Sequence, residues 1–384
     1  MKRILMIAGE ASGDIYGSDL ARHLYKLIPS LKIAGIGGNR MRDVGVNILY
    51  DMSGISVVGV SEILPRLKAI RQAYKLAADL IRAREVDIVV LIDYPGFNIR
   101  LAGAAKRAGI PAVYYVSPQI WAWRKGRISL LAKRINKMIV VLPFEEDIYK
   151  RAGIDCSFIG HPLVDEILST RPLEESLLRY GIGSDKTVIG LFPGSRIGEI
   201  RSLLPAFLEA AQLIKNGNPK IQLVMAVAES LNFKEVEDTI NKWNMSKNGE
   251  KRHLDVKTIR GEANDVLNVS NVIIAASGTI TLQAALLEKP MVIVYRLSRL
   301  TYLIAKLLVS IKDICLVNIL AGRRIVPELL QGDATPDKIA AEAKRFLYDR
   351  KYHDRTKKDL NEIKLKLGPP GASARVAKVI AGML

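Results

Sequence analysis

With 384 residues, 49% hydrophobic and 25% charged, the composition excludes a disordered polymer, and the length suits two domains of about 190 residues, each with its own core. Lys and Arg number 57 against 39 Asp and Glu, and the formal charge of +18 favours anionic partners: phosphorylated substrates, an anionic membrane face or nucleic acid. Cys156 and Cys315 lie far apart and His23, His161, His253 and His353 are scattered, so neither a disulfide framework nor a structural zinc is expected.

Ile4–Ala8 is too short for a signal peptide and is followed by Glu10, while Leu297–Val317 carries Arg299, Lys306, Lys312 and Asp313 against the ~20 clean residues of a spanning helix. A cytoplasmic protein is expected.

Arg3–Ala8 (RILMIA) reads as a buried strand, which AGEASGDIYG turns into a helix through Ile28. Neither GEASGD nor GIGG at 35–38 has the GxGxxG spacing of a dinucleotide site. Glu10 and Asp14 face the mouth of this turn, at the carboxyl edge where open α/β sheets bind ligands. Asp14 alternatively serves the helix N-terminus.

In ISVVGVSEILPRLKA (55–69), Val58, Val60, Ile63, Leu64 and Leu67 stand beside Arg66 and Lys68, a pattern that suits either a helix in a bilayer interface or a core-facing helix with a solvated side. Val86–Ile92 (VDIVVLI) is a buried parallel-type strand ending at Asp93-Tyr94-Pro95-Gly96. Asp93 thus stands at a strand tip, where a carboxylate can take a proton from an acceptor hydroxyl and Asn98, opening the next helix, can position a polar group. The alternative is a turn-former before Pro95.

Pro111–Val116 is another strand, and in the following SPQIWAWRKGR the residues Trp121, Trp123 and Arg124 either line a lipid or sugar site or cap the core. Lys137–Val141 and Cys156–Ile159 complete a first parallel sheet, with a helix from Phe144 to Ala152 between them. Gly160-His161-Pro162 marks a domain boundary, with His161 a substrate contact or a hydrogen-bonded hinge residue.

The alternation restarts at Thr187–Leu191, and FPGSRIGEIRSLLPAFLEAAQLI runs strand, turn, amphipathic helix, placing Ser195 and Arg196 at a helix N-terminus. Arg196 offers a bidentate donor to phosphate, or pairs with a surface carboxylate. Strands at Ile221–Ala226, near Val256 and at Asn271–Ala275 follow, with right-handed crossovers expected. Next comes AASGTITLQAALLEKPMVIVYR (275–296): strand, tight turn, helix, stop, strand. Its helix opens at Ser277, Gly278 and Thr279, presenting unpaired N–H groups and a positive dipole end to an anion. Gln283 lies about 7 Å further along, roughly the reach from a diphosphate to a ribose. Leu300–Leu308 is apolar with basic flanks, Thr335–Asp349 and Lys351–Leu367 are charged helices, and Ala372–Leu384 forms a last helix after Gly368-Pro369-Pro370-Gly371.

ASGTITLQAALLEKPMVIVYR resembles the nucleotide-sugar signature of the lipid-A-disaccharide synthase family, membrane-associated glycosyltransferases built from two Rossmann-like domains (GT-B). The likeness runs through AGEASGD (8–14), IDYPGFN (92–98), VSPQIWAWR (116–124), LPFEEDIY (142–149), FIGHPLVDE (158–166), FPGSRIGEI (192–200) and NILAGRRIVPELLQ (318–331).

The resemblance implies an α/β fold of two Rossmann-like parallel-sheet domains facing a cleft. An acceptor domain would span 1–162, a UDP-sugar domain 163–350, and helices at 351–384 would pack back on the first domain or on a partner subunit. The implied reaction moves a 2,3-diacylglucosamine unit from UDP to the 6-hydroxyl of 2,3-diacylglucosamine 1-phosphate, inverting the anomeric centre to give a β-1,6 disaccharide. Asp93 would be the base, with Glu10 as the other catalytic carboxylate. Ser195, Arg196, Ser277, Gly278 and Thr279 would hold the diphosphate, and Gln283 and Asn318 would reach ribose or uracil. The segment around Val58 to Leu67 would touch the cytoplasmic face of the inner membrane, and a homodimer exchanging C-terminal segments is a family expectation.

Two departures stand out: family members usually carry glutamate where this chain has Gln283, and many carry an acid where it has Gly96. No two aspartates are separated by one residue, so the DxD metal motif is missing, and neither metal nor cofactor is expected. Other readings are a UDP-N-acetylglucosamine epimerase, another lipid-linked glycosyltransferase, or a basic nucleic-acid-binding protein. No recognised nucleic-acid module is present to support the last.

Overall fold

The computed structural model describes residues 1–54, 60–118, 126–216, 218–245, 252–297 and 313–384, with backbone alone at 54 and 60–65. The chain divides into two compact units, Met1–Asp165 with Leu367–Leu384, and Glu166–Lys366. The division falls at 165/166 where 162/163 was expected. The helix Arg350–Lys366 stays with the second unit, and Leu367–Leu384 alone returns to the first.

The first unit is built on β1 (Arg3–Ala8), β2 (Lys32–Gly37), β3 (Asn47–Asp51), β4 (Ile88–Ile92), β5 (Ala112–Tyr115), β6 (Lys137–Val140) and β7 (Cys156–Phe158). They form one sheet in the order β3-β2-β1-β4-β5-β6-β7, parallel at every pairing. Parallel neighbours need crossovers, supplied by helices such as Ala11–Leu27, Val60–Arg82 and Pro95–Ala108. Strands covered in this way lose their polar alternation. Ile88–Ile92 is buried at every residue, and Leu5, Ile7, Leu91 and Tyr114 are fully enclosed in the core. Each such side chain contributes about 1.5–3 kcal/mol by leaving water.

The C-terminal helix Ala372–Ala381 packs on Ala11–Leu27. The Asp165 carboxylate caps it, accepting from the backbone N–H of Gly371 at 2.5 Å and of Ala372 at 3.0 Å.

The second unit repeats the plan with β8 (Thr187–Phe192), β9 (Ile221–Val227), β10 (Val256–Arg260), β11 (Val272–Ala276), β12 (Met291–Tyr295) and β13 (Glu328–Leu330), ordered β10-β9-β8-β11-β12-β13 and again all parallel. Leu191, Phe207, Leu223, Ile274 and Val292 lie in its core. In each sheet the strand order reverses between the first strand and the fourth, β1 beside β4 and β8 beside β11. Open α/β sheets bind ligands beyond the carboxyl ends of such a strand pair.

Among the described residues no helix is long and apolar enough to cross a membrane. Val58 lies outside the described residues, as do the side chains of Val60, Ile63 and Leu64. Leu67 is partly buried on the helix Val60–Arg82. Trp121, Trp123, Arg124 and the stretch 300–308 also lie outside the described residues.

Candidate active site

In the first unit β1 and β4 run in register as far as Ala8 opposite Ile92, so the turns Gly9-Glu10 and Asp93-Tyr94 leave the sheet side by side. The Tyr94 ring occupies the space a Cβ on residue 9 would need, and only glycine lets the two turns pack this closely. Glu10 opens the helix Ala11–Leu27 as its N-cap residue. Asp14 caps a different helix from the one expected: its carboxylate accepts from the N–H groups of Gly38 at 2.7 Å, Arg40 at 3.1 Å and Met41 at 3.2 Å, where Asn39–Asp43 begins.

Asp93 and Tyr94 both adopt left-handed backbone, with φ of 46° and 45°, which costs a non-glycine residue roughly 1–2 kcal/mol. The strain is held from beneath. Asn98 Nδ2 donates to the carbonyls of Ile92 at 3.1 Å and Asp93 at 2.7 Å, and the Tyr114 hydroxyl donates to the Asp93 carbonyl at 2.6 Å. Asn98 is fully buried, and its Oδ1 has no partner among the described residues. Burial pushes the Asp93 carboxyl up to about 7; the Glu10 charge adds to the rise and a hydrogen bond from the Tyr94 backbone opposes it. The result is a carboxylate at a strand tip that gains and loses its proton near neutral pH.

In the second unit β8 and β11 pair through Phe192 opposite Ala275, which sets the turns 193–196 and 277–279 side by side. The helix Ile197–Lys215 opens after Arg196, and Ile280–Leu286 opens after Thr279. The backbone N–H groups of Ile197, Gly198, Gly278 and Thr279 donate to no backbone acceptor among the described residues. Gly194 has a φ of 121°, a conformation strained for any other residue, and the Glu199 side chain folds back over it. One Glu199 oxygen accepts from Ser195 N–H at 3.0 Å, and the other pairs with Arg196 at 3.1 Å. Glu199 was not singled out from sequence, although an acid three residues into a helix is a recognised back-bonding signal. No described residue lies within 4 Å of a Cβ built on Gly278, so among the described residues the second turn faces open space.

Ser195, Arg196, Ser277, Gly278 and Thr279 are therefore gathered at one strand-tip pair. Gln283 lies one turn into the second helix, its N–H on the Thr279 carbonyl at 3.3 Å. Its Nε2 donates to Glu166 Oε1 at 3.0 Å and to Asn264 Oδ1 at 2.9 Å.

Asn318 has a structural assignment in place of the expected pocket contact. It is fully buried, its Nδ2 donates to the Val326 carbonyl at 2.9 Å and Glu328 Oε1 at 2.7 Å, and its Oδ1 accepts from Ile325 N–H at 2.8 Å and Val326 N–H at 3.1 Å. His161 is also enclosed, in the first unit. Its Nδ1 accepts from Leu163 N–H at 3.1 Å, its ring meets Tyr16 edge-on at 6.5 Å, and burial lowers its pKa to about 3, keeping it neutral.

Comparison with known proteins matches residues 4–377 to the family described as lipid-A-disaccharide synthetase. A curated lipid-A-disaccharide synthase from Geobacter sulfurreducens is 43% identical over 382 residues, covering 100% of this chain and 97% of its own. One from Syntrophus aciditrophicus is 39% identical, covering 98% and 96%. Among solved structures, the UDP-GlcNAc 2-epimerase of Neisseria meningitidis bound to UDP-GlcNAc superposes with a TM-score of 0.66 at 14% identity, covering 99% of this chain and 100% of that one. A Staphylococcus aureus protein solved with UDP gives 0.67 at 15% identity, covering 100% and 98%. At such identities these two structures are similar in fold alone.

Proposed function

The chain belongs to the lipid-A-disaccharide synthase family, a family of glycosyltransferases, and from that premise we propose how its two strand-tip sites divide a single sugar transfer. The donor is UDP-2,3-diacylglucosamine and the acceptor 2,3-diacylglucosamine 1-phosphate. The acceptor 6-hydroxyl oxygen attacks C1 of the donor sugar while the Asp93 carboxylate takes the hydroxyl proton. The C1–O bond to the diphosphate breaks, and its electron pair leaves with UDP. Attack opposite the leaving group inverts the anomeric centre, giving the β-1,6 linkage.

Charge on the departing diphosphate goes to the N–H groups opening the helices after Arg196 and Thr279 and to the Arg196 guanidinium, electrostatic stabilisation that needs no metal ion. Ser195, Ser277, Gly278 and Thr279 form this seat. Asn98 and Tyr114 act by fixing the Asp93 turn, and neutral His161 by ordering the chain at 160–163.

The observation that carries the reading is Asp93, a carboxylate poised near neutral pH on a strained strand-tip turn. The decisive experiment incubates the purified chain with the two acylated precursors in EDTA and identifies the product by mass spectrometry and anomeric NMR. A β-linked disaccharide 1-phosphate is expected. Metal-dependent formation, or a retained α linkage, would overturn the proposed chemistry.

The +18 charge and the apolar positions Val58, Val60, Ile63, Leu64 and Leu67 support docking on the cytoplasmic face of the inner membrane. Salt-sensitive cosedimentation with anionic vesicles is the expected result, and equal recovery on neutral ones would remove the idea. The C-terminal helix supports a homodimer by segment exchange, since a second chain's helix would fit the same seat beside Asp165; a monomer by sedimentation at all concentrations would exclude it.

A further inference from the structure

The second unit holds a pocket of about 220 Å³ beyond the carboxyl end of β10, apart from the turns assigned to the diphosphate. Glu166, Glu262 and Asp265 line it against a single guanidinium, Arg171, which already pairs with Asp265 and lies 3.8 Å from Glu262. Arg179, outside the lining, also pairs with Glu262 at 3.0 Å, so three carboxylates face two guanidiniums, and the net negative charge disfavours phosphate and favours a ligand rich in hydrogen-bond donors. The Thr170 hydroxyl, buried and without a partner among the described residues, lines the same pocket.

At its rim two amides fix one carboxylate. Glu166 Oε1 accepts from Gln283 Nε2 at 3.0 Å and from Asn264 Nδ2 at 3.1 Å. Gln283 Nε2 also serves Asn264 Oδ1 at 2.9 Å, so both of its protons are engaged. Glu166 Oε2 has no hydrogen bond to any described residue. The resulting group is an oriented anionic acceptor. It stands beside a residue one helical turn, about 5–6 Å, beyond the turn at Thr279, which matches the step from a diphosphate to the sugar of the same nucleotide.

We propose that Glu166 accepts the hydrogen bonds of the vicinal 2′- and 3′-hydroxyls of the donor's ribose, with Gln283 and Asn264 as positioning residues. The inference rests on the nucleotide-sugar reading above and relocates the diol contact from residue 283 to residue 166. An amide stands at 283 because the negative charge is supplied by the neighbouring carboxylate; two acids there would repel each other.

Isothermal titration of the full chain with UDP and with 2′,3′-dideoxy-UDP tests this. Wild type should prefer UDP by about tenfold or more, the range of a hydrogen bond to a charged group. Glu166→Ala and the more conservative Glu166→Gln should bring that preference close to one while leaving dideoxy-UDP affinity unchanged. Combining Glu166→Gln with Gln283→Glu should restore part of the preference by returning the charge from the other side. An undiminished preference in both single variants overturns the proposal, as does an equal loss for both nucleotides, which would mark a purely structural role. Failure of the wild-type chain to bind either nucleotide would instead sink the nucleotide-sugar reading itself.

Discussion

The two units carry their candidate groups at the same topological address and with opposite chemistry. Beyond β1 and β4 stand two carboxylates, Glu10 and Asp93; beyond β8 and β11 stand backbone amides and Arg196. The backbones follow suit. At its strand-tip pair the first unit places two non-glycine residues, Asp93 and Tyr94, in left-handed conformation and braces them with Asn98 and Tyr114, which suits the proposed proton acceptor, a particular side chain held at a particular point. At the strand-tip pair of the second unit the left-handed position goes to Gly194, and no described residue lies within 4 Å of a Cβ built on Gly278, which suits the proposed anion seat of main-chain N–H groups. On the proposed roles, topology sets where chemistry occurs in each sheet, and the residues of the turns set its sign.

The comparison breaks hardest at Asp93. If the first unit's part is proton transfer, Asp93→Ala should lower kcat by roughly 10²–10⁴-fold, the range of general base catalysis. UDP affinity by titration should be unchanged. A variant with near-normal kcat would remove Asp93 as the base, and a parallel loss of UDP binding would mean that the roles are not divided.

Arg196→Ala should show the reverse pattern, with UDP affinity and kcat/KM both falling, by about 100-fold in kcat/KM if the guanidinium stabilises the leaving group as other preorganised donors do. Arg196→Lys should recover little of it, since the ammonium cannot make a forked contact. Unchanged UDP binding in Arg196→Ala would move the diphosphate elsewhere.

Much of this was legible from sequence wherever an apolar run ends in a polar turn. VDIVVLI stops at Asp93, and FPGSR and AASGT stop at their turns, so the strand tips and the residues on them could be read directly. β2 and β3 were not. β2 reads KIAGIG, in which two glycines leave too few side chains to mark a buried run, and β13 has only three residues. Sequence also could not say which way an asparagine points. Asn98 and Asn318 sit near helix starts like ligand-binding groups, yet both are fully buried, the Asn98 Nδ2 on main-chain carbonyls and the Asn318 amide on main-chain atoms and Glu328. Glu166 left no local trace at all, since its partner Gln283 lies 117 residues away and the fold alone joins them.

A smaller effect sharpens the acidic side. A base whose carboxyl titrates near 7 gives a kcat/KM profile that climbs through that pH, because only the ionised form accepts a proton. Burial is the larger cause of the rise and the Glu10 charge the next, so Glu10→Gln should slide the acid limb downward without returning it to the ordinary carboxylate range. Activity at pH 6 relative to pH 8 should increase by about two- to fivefold. An unmoved limb would show that the Glu10 charge does not act on Asp93.

The smallest effect separates the two glycines of the proposed anion seat. Gly194→Ala must adopt a φ of 121° and push aside Glu199, whose Cβ lies 2.7 Å from the new methyl, so both the backbone and the Ser195 contact are disturbed. A loss of about 1–3 kcal/mol is expected, read as a Tm lowered by several degrees. Gly278→Ala meets no described residue within 4 Å, and its Tm should stay within about one degree of wild type, as for a substitution that neither strains nor overpacks. Its methyl would nevertheless project into the space assigned to the diphosphate, so UDP affinity should fall although stability does not. If Gly278→Ala binds UDP like wild type, the open face of that turn is not where the phosphates rest, and the seat contracts to the turn at Ser195 and Arg196.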